Sequence, residues 1–258
     1  MPLWPPGHVP LERALSKLGL LSRTEARAAI VAGRVRLAGE VVRDPNLPVV
    51  PERLQVAVDG LQGPSEPSGA GQPLVVALHK PRGLLTTQRD PQGRPTVFDL
   101  LQNLPQRVVA VGRLDQATTG LLLLTSDTQL ANRLTDPVYA LERIYLVEVE
   151  GLVTQDTARQ LQDGVLDAGE RLAASRVVIR KTSGKESQLL LTLTEGKNRE
   201  VRRLCALVGH PVRRLKRIHY GPVALGDLPA GQWREIDPAP LYAAVQLRMP
   251  ADRRSASL

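Results

Sequence analysis

Residues 112–120 read Gly-Arg-Leu-Asp-Gln-Ala-Thr-Thr-Gly, a polar stretch set between two apolar runs, 108–111 and 121–125. If both runs are strands, Arg113 and Asp115 sit at the rim of a sheet. Residues two apart in an extended segment project to the same side, so the pair faces one cleft. A carboxylate held beside a guanidinium can act as a nucleophile or as a base. A second concentration of chemistry lies further on, where Glu195-Gly196-Lys197-Asn198-Arg199-Glu200-Val201-Arg202-Arg203 runs into a helix predicted over residues 198–208. At about 100° per residue, Val201, Leu204, Cys205 and Val208 share an apolar face. Arg199 and Arg203 fall on the far side, where they can meet phosphate, and Arg202 lies on the border, from which it can reach inward to a carboxylate.

Other reactive side chains offer less. Residues 74–78 read as a short apolar strand leading into a basic turn, His79-Lys80-Pro81-Arg82-Gly83. The lone Cys205 excludes an intramolecular disulfide framework and a cysteine-rich zinc site, and its apolar neighbours make it a core residue. His8, His79, His210 and His219 show no metal-ligand spacing, so no metal is expected. Neither a phosphate-cradling Walker loop nor a dinucleotide fingerprint is present, which argues against nucleotide-driven and redox chemistry; no cofactor is expected.

The elements that must position these residues fall into two modules. The chain has 258 residues and a formal net charge of +8, with 42% hydrophobic residues and only 3% aromatic. That composition belongs to a folded globular chain and leaves too few aromatics for broad base-stacking platforms. No apolar run approaches the roughly 20 residues of a membrane span, and the first ten residues lack a signal-peptide core. A cytoplasmic protein without membrane contact is expected. Of the 34 basic residues 28 are Arg, and they are unevenly spread. Residues 1–60 hold 8 basic against 6 acidic side chains, 61–180 hold 12 against 13, and 181–258 hold 14 against 7. The positive excess of the last segment, most of it within residues 197–217, points to an anionic partner.

Residues 61–73 contain three Pro and three Gly with no hydrophobic period, and read as a flexible linker. Before it, Pro10 opens a helix that Gly19 closes, with Leu11, Leu15 and Leu18 on one face. Ser22 and Glu25 have capping-box spacing and open a second helix closed by Gly33. That helix turns Ala26, Ala29 and Ile30 inward and Arg23 and Arg27 outward. Short strands are predicted over 34–37, 41–42 and 54–58. Residues 9–60 are therefore expected to form a small α/β domain suited to docking, 74–248 a second domain, and 249–258 a polar tail.

The first module, LERALSKLGLLSRTEARAAIVAGRVRLAGEVV, resembles the RNA-binding domain named after ribosomal protein S-four. The block VGRLDQATTGLLLLTSD resembles the central motif of the RsuA/RluB/RluE/RluF family of ribosomal RNA pseudouridine synthases, and LERIYLVEVEG and LTLTEGKNREVRRL match two further motifs of that family. The resemblance implies that Asp115 is catalytic, that Arg113 enters the RNA where the target uridine has flipped out, and that Tyr145 packs on the flipped base. It implies further that Arg202 pairs with Asp115, that Val201 lies beneath the base, and that Lys80 belongs to a Lys-Pro turn near the substrate. Arg23, Arg27, Lys197, Arg199 and Arg203 are left for RNA contact. The family differs at His79, often Asn, at Thr128, often Gly, and at Arg143, often Lys.

The implied fold is α+β, with a small α/β RNA-binding domain followed by a catalytic domain on a mixed, largely antiparallel sheet with flanking helices. The implied activity isomerises a uridine of ribosomal RNA, in the large-subunit 23S species by the wording of residues 195–203. A small-subunit target and a non-catalytic ribosome-assembly protein are the alternatives. Asp115 attacks the substrate covalently or removes a sugar proton; both routes are open. A monomer is expected.

Overall fold

The computed structural model describes residues 8–18, 20–21, 23–51, 54–59, 72–88, 90–102 and 104–249. Gly19, Ser22, most of the predicted linker and nearly all of the predicted tail lie outside those residues. In the first module, β1 (Val9–Pro10) leads into α1 (Leu11–Lys17) and then α2 (Arg23–Val31). Leu11, Ala14 and Leu15 of α1 meet Ala26, Ala29 and Ile30 of α2 in one core, where the small alanines allow close approach. β2 (Val35–Leu37), β3 (Glu40–Val42) and β5 (Val56–Val58) form an antiparallel sheet in the order β3-β2-β5. A further strand that the sequence pattern does not announce, β4 (Pro48–Val49), pairs with β1. Two-residue strands containing Pro carry no alternation to read.

The second module begins with β6 (Val75–Lys80), β7 (Val109–Ala110) and β8 (Thr119–Thr125), followed by α3 (Thr128–Thr135) and β9 (Arg143–Glu150). Next come α4 (Gln155–Asp163), a small hairpin of β10 (Val165–Asp167) and β11 (Glu170–Leu172), then β12 (Arg176–Thr182) and β13 (Glu186–Leu193). The chain continues through α5 (Glu200–Leu207), β14 (Val212–Tyr220), β15 (Val223–Ala224), β16 (Trp233–Glu235) and α6 (Ala239–Ala244). The main sheet has the order β12-β13-β9-β14-β8-β6-β16, with β7 on β8 and β15 on β14.

Every neighbouring pair along that path is antiparallel except β14–β8. The expected mixed, largely antiparallel sheet with flanking helices is therefore what forms. The Leu run of β8 is split by strand alternation between two cores. Leu122 and Leu124 join the core with Val76, Leu78, Val147 and Leu204, while Leu121 and Leu123 join the one with Val75, Leu130, Leu134 and Leu241. A strand buried on both faces shows no polar alternation, which is why it reads as a continuous apolar run. Strand β6 extends through His79 and Lys80, so the basic turn expected over residues 79–83 begins only after Lys80.

Candidate active site

The seam between β8 and β14 organises the site. Parallel pairing there spans two residue pairs, Lys216 with Thr119 and Arg217 with Gly120. Gly120 has φ +104°, and a Cβ on it would stand 2.2 Å from the carbonyl oxygen of Arg217. Only glycine lets the two backbones meet this closely. The loop 112–118 precedes β8 at this seam, and beside it opens a cleft of about 170 Å³. Arg113, Asp115, Tyr145, Lys197, Arg199, Val201 and Arg202 all line it, so the two distant motifs of the sequence come together. Six lining side chains are Arg or Lys and three are Asp or Glu, which gives the cleft a positive balance.

Asp115 is part-exposed and its Oδ2 accepts from Arg199 Nη1 at 3.4 Å. Arg202, expected to make this pair, instead donates to the carbonyls of Ala117 at 3.4 Å and Val212 at 3.3 Å. The reason is local. Arg199 caps α5 in the left-handed region at φ +49°, outside helical register, so the helical projection that turned it away from the cleft does not hold. Glu200 closes the turn, its Oε2 accepting from the Lys197 backbone N–H at 3.1 Å, and its own burial raises its pKa. Arg202 stays near the pair. Burial and the charge of Arg199 lower its pKa, and Asp115 works the other way.

Tyr145 and Val201 are both buried and both belong to the main core. Tyr145 stands on the face of β9 that also carries Arg143, Val147 and Val149. It thus presents a ring held by packing at the cleft wall. Arg113 is exposed at the rim.

Three expected RNA contacts are otherwise engaged. Lys80 is fully buried. Its Nζ donates to the carbonyls of Thr118 at 2.9 Å, Pro81 at 3.0 Å and Gln116 at 3.4 Å. It therefore ties down the backbone of the loop that carries Asp115. Arg203 is gripped by Asp167 at 2.5 Å and Glu170 at 2.8 Å on the β10–β11 hairpin, so its charge is satisfied within the fold. Lys197 pairs with Glu195 at 2.7 Å and donates to the carbonyl of Arg171 at 2.9 Å, while still lining the cleft. In the first module Arg23 is exposed, and Arg27 is exposed with an ion pair to Glu12 at 3.1 Å.

Arg143, Arg217 and Tyr220 also line the cleft, although no sequence motif assigns them to it. Arg143 is buried, donating to Thr194 O at 3.0 Å and to Tyr220 Oη at 3.1 Å. The Arg143 and Arg217 guanidiniums each lie 4.9 Å from the Tyr220 ring centroid. No local signal separates Arg217 from its neighbours Arg213 and Arg214; only its pairing with Gly120 does. Cys205 is buried as expected, and burial pushes its thiol up to about 12. No group of His, Cys, Asp and Glu among the described residues could hold a metal ion.

Residues 74–207 match the family described as RNA pseudouridylate synthase, and residues 9–53 match the S4 domain. The chain is 40% identical over 252 residues to a protein of Aquifex aeolicus (strain VF5) named an uncharacterized RNA pseudouridine synthase, over 96% of this chain and 99% of that one. It is 35% identical over 244 residues to the ribosomal large subunit pseudouridine synthase B of Bacillus subtilis (strain 168), over 94% and 96% of the two chains. Among solved structures it is similar to one described as a crystal structure of pseudouridylate synthase. That similarity has a TM-score of 0.62 at 25% identity and covers 92% of this chain and 99% of the other.

Proposed function

The chain belongs to the RNA pseudouridylate synthase family, and from that premise we propose that it isomerises one uridine to pseudouridine in large-subunit 23S ribosomal RNA. The observation that carries this reading is the Asp115 carboxylate, paired with Arg199 in a cleft walled by Tyr145 and Val201. The reaction breaks the bond between sugar C1′ and ring N1, turns the uracil, and forms a bond from C1′ to C5. The C5 proton leaves and N1 gains one, so atoms and electrons balance without redox change or added group.

The target base must first leave its stack, at a cost of a few kcal/mol. Arg113, exposed at the rim, fills the vacated space, and Tyr145 stacks on the flipped base over Val201; both offset part of that cost. Asp115 then acts on the sugar, by covalent attack on C1′ or by taking a sugar proton. Arg199 orients its carboxylate, Arg202 and Lys80 hold the backbone of the loop that carries it, and Lys197 adds positive charge at the rim. A carboxylate fixed this way needs little reorganisation when the bond breaks.

We assign residues 9–60 to RNA docking through Arg23 and Arg27, 61–73 to a linker, 74–248 to catalysis and 249–258 to a tail. The protein acts as a cytoplasmic monomer. The test is to incubate purified protein with unmodified ribosomal RNA and map pseudouridine. One converted uridine in 23S rRNA is expected. Conversion confined to the small-subunit RNA contradicts the target, and no conversion on a competent substrate contradicts the function.

A further inference from the structure

Arg217 is 2% exposed, and its Nη2 finds no hydrogen-bond partner among the described residues. Its setting is rigid. The backbone pairs with Tyr145 on one side and Gly120 on the other, so Arg217 and Tyr145 are cross-strand neighbours projecting from one face of the sheet. Nε donates to the carbonyl of Leu121 at 2.7 Å, and the Tyr220 ring lies 4.9 Å from Cζ. The side chain lines the cleft that holds Asp115. A buried donor left without an acceptor is costly, and one that lines a cleft can be satisfied by an acceptor on a bound ligand.

Resting on the pseudouridine synthase reading, we propose that Arg217 Nη2 donates a hydrogen bond to a carbonyl oxygen of the flipped uracil and stabilises the base as it leaves the sugar. Uracil offers two acceptors, O2 and O4. When the N1–C1′ bond breaks, its electron pair enters the ring and spreads onto both oxygens. The Arg217 proton is not transferred. The pair returns when C5 bonds to C1′, the C5 proton goes to solvent, and N1 takes a proton from solvent. A fixed guanidinium N–H gains strength as the oxygen it faces gains charge, so the contact favours the transition state over the ground state. Arg217 is thus a catalytic residue distinct from Asp115, and it reads the carbonyl pattern of the base.

The test uses the full-length protein and an RNA fragment carrying the mapped target as uridine, 2-thiouridine or 4-thiouridine, since sulfur is the weaker acceptor. Single-turnover rates are measured for wild type, Arg217→Gln and Arg217→Lys, with melting temperature and RNA affinity as controls. Wild type is expected to slow at least tenfold on one of the two thio substrates. Arg217→Gln is expected to slow at least tenfold on uridine with RNA affinity kept within twofold, and to lose the thio penalty; Arg217→Lys retains part of the rate. A wild type indifferent to both thio substitutions overturns the assignment, as does an undiminished thio penalty in Arg217→Gln or full activity of that variant. Should Arg217→Gln not fold, the wild-type thio rates and Arg217→Lys decide. A wild type that converts no uridine overturns both this inference and the reading beneath it.

Discussion

Lys80 is fully buried under the loop of Asp115, its ammonium held by three backbone carbonyls. Burial lowers its pKa to about 8, an effect that Asp115 partly offsets. The unfolded chain keeps that proton up to its ordinary value of 10.5. Between pH 8 and 10.5 the unfolded state therefore binds more protons than the folded one, and stability rises with pH across that window. Below it the full cost of burying the charge is present. In calorimetric scans from pH 7 to 10, the melting temperature of wild type should gain on that of Lys80→Met above pH 8; a constant difference contradicts the burial of a charged Lys80. Arg199 and Arg203 separate in the same way. Arg199→Ala should cut the single-turnover rate at saturating RNA about tenfold to hundredfold, roughly 1.4–2.7 kcal/mol. Arg203→Ala, which frees Asp167 and Glu170, should lower the melting temperature and leave that rate within about twofold. The reverse pattern in the two variants would show that the roles are exchanged.

At the scale of elements, the seam between β8 and β14 is the feature on which the site depends, and Gly120 is what permits it. A Gly120→Ala side chain would overlap the Arg217 backbone at a φ that disfavours any Cβ. A loss of about 2–3 kcal/mol or more is expected in urea unfolding. A midpoint equal to that of wild type would mean that the two strands part without harm. Legibility from sequence follows the same physics. Strand β8 and the apolar stripe of α5 were readable because apolar period and burial agree there. The end of β6 was not, because a buried lysine paired with carbonyls looks in sequence like a solvated turn. The direction of Arg199 is not legible from helical spacing, because a left-handed cap breaks the helical projection. Arg217 was invisible, since its burial comes from partners about 70 and 100 residues away in the chain.

At the scale of the molecule, the charge of +8 is distributed in two ways. Part of it is spent inside the fold, where Lys80, Arg143 and Arg217 are buried and Arg203 is held by two carboxylates. Other basic side chains, among them Arg23 and Arg27 on the first module and Arg113 at the rim, are exposed. Simple counting of basic residues therefore overstates the charge available to RNA. Reversing two exposed sites, Arg23→Glu with Arg27→Glu, should weaken binding of a ribosomal RNA fragment and reduce its salt slope by about one to two. The single-turnover rate at saturating RNA should be unchanged. An unaltered slope would remove the first module from the docking surface.

The motifs, the sheet seam and the ion pair all converge on Asp115, and the most direct measurement is the activity of Asp115→Asn. The variant keeps the size of the side chain and removes the charge. With unmodified 23S rRNA, wild type should convert its target, while Asp115→Asn should bind the same RNA with similar affinity and form no detectable pseudouridine. Full conversion by Asp115→Asn would contradict the account.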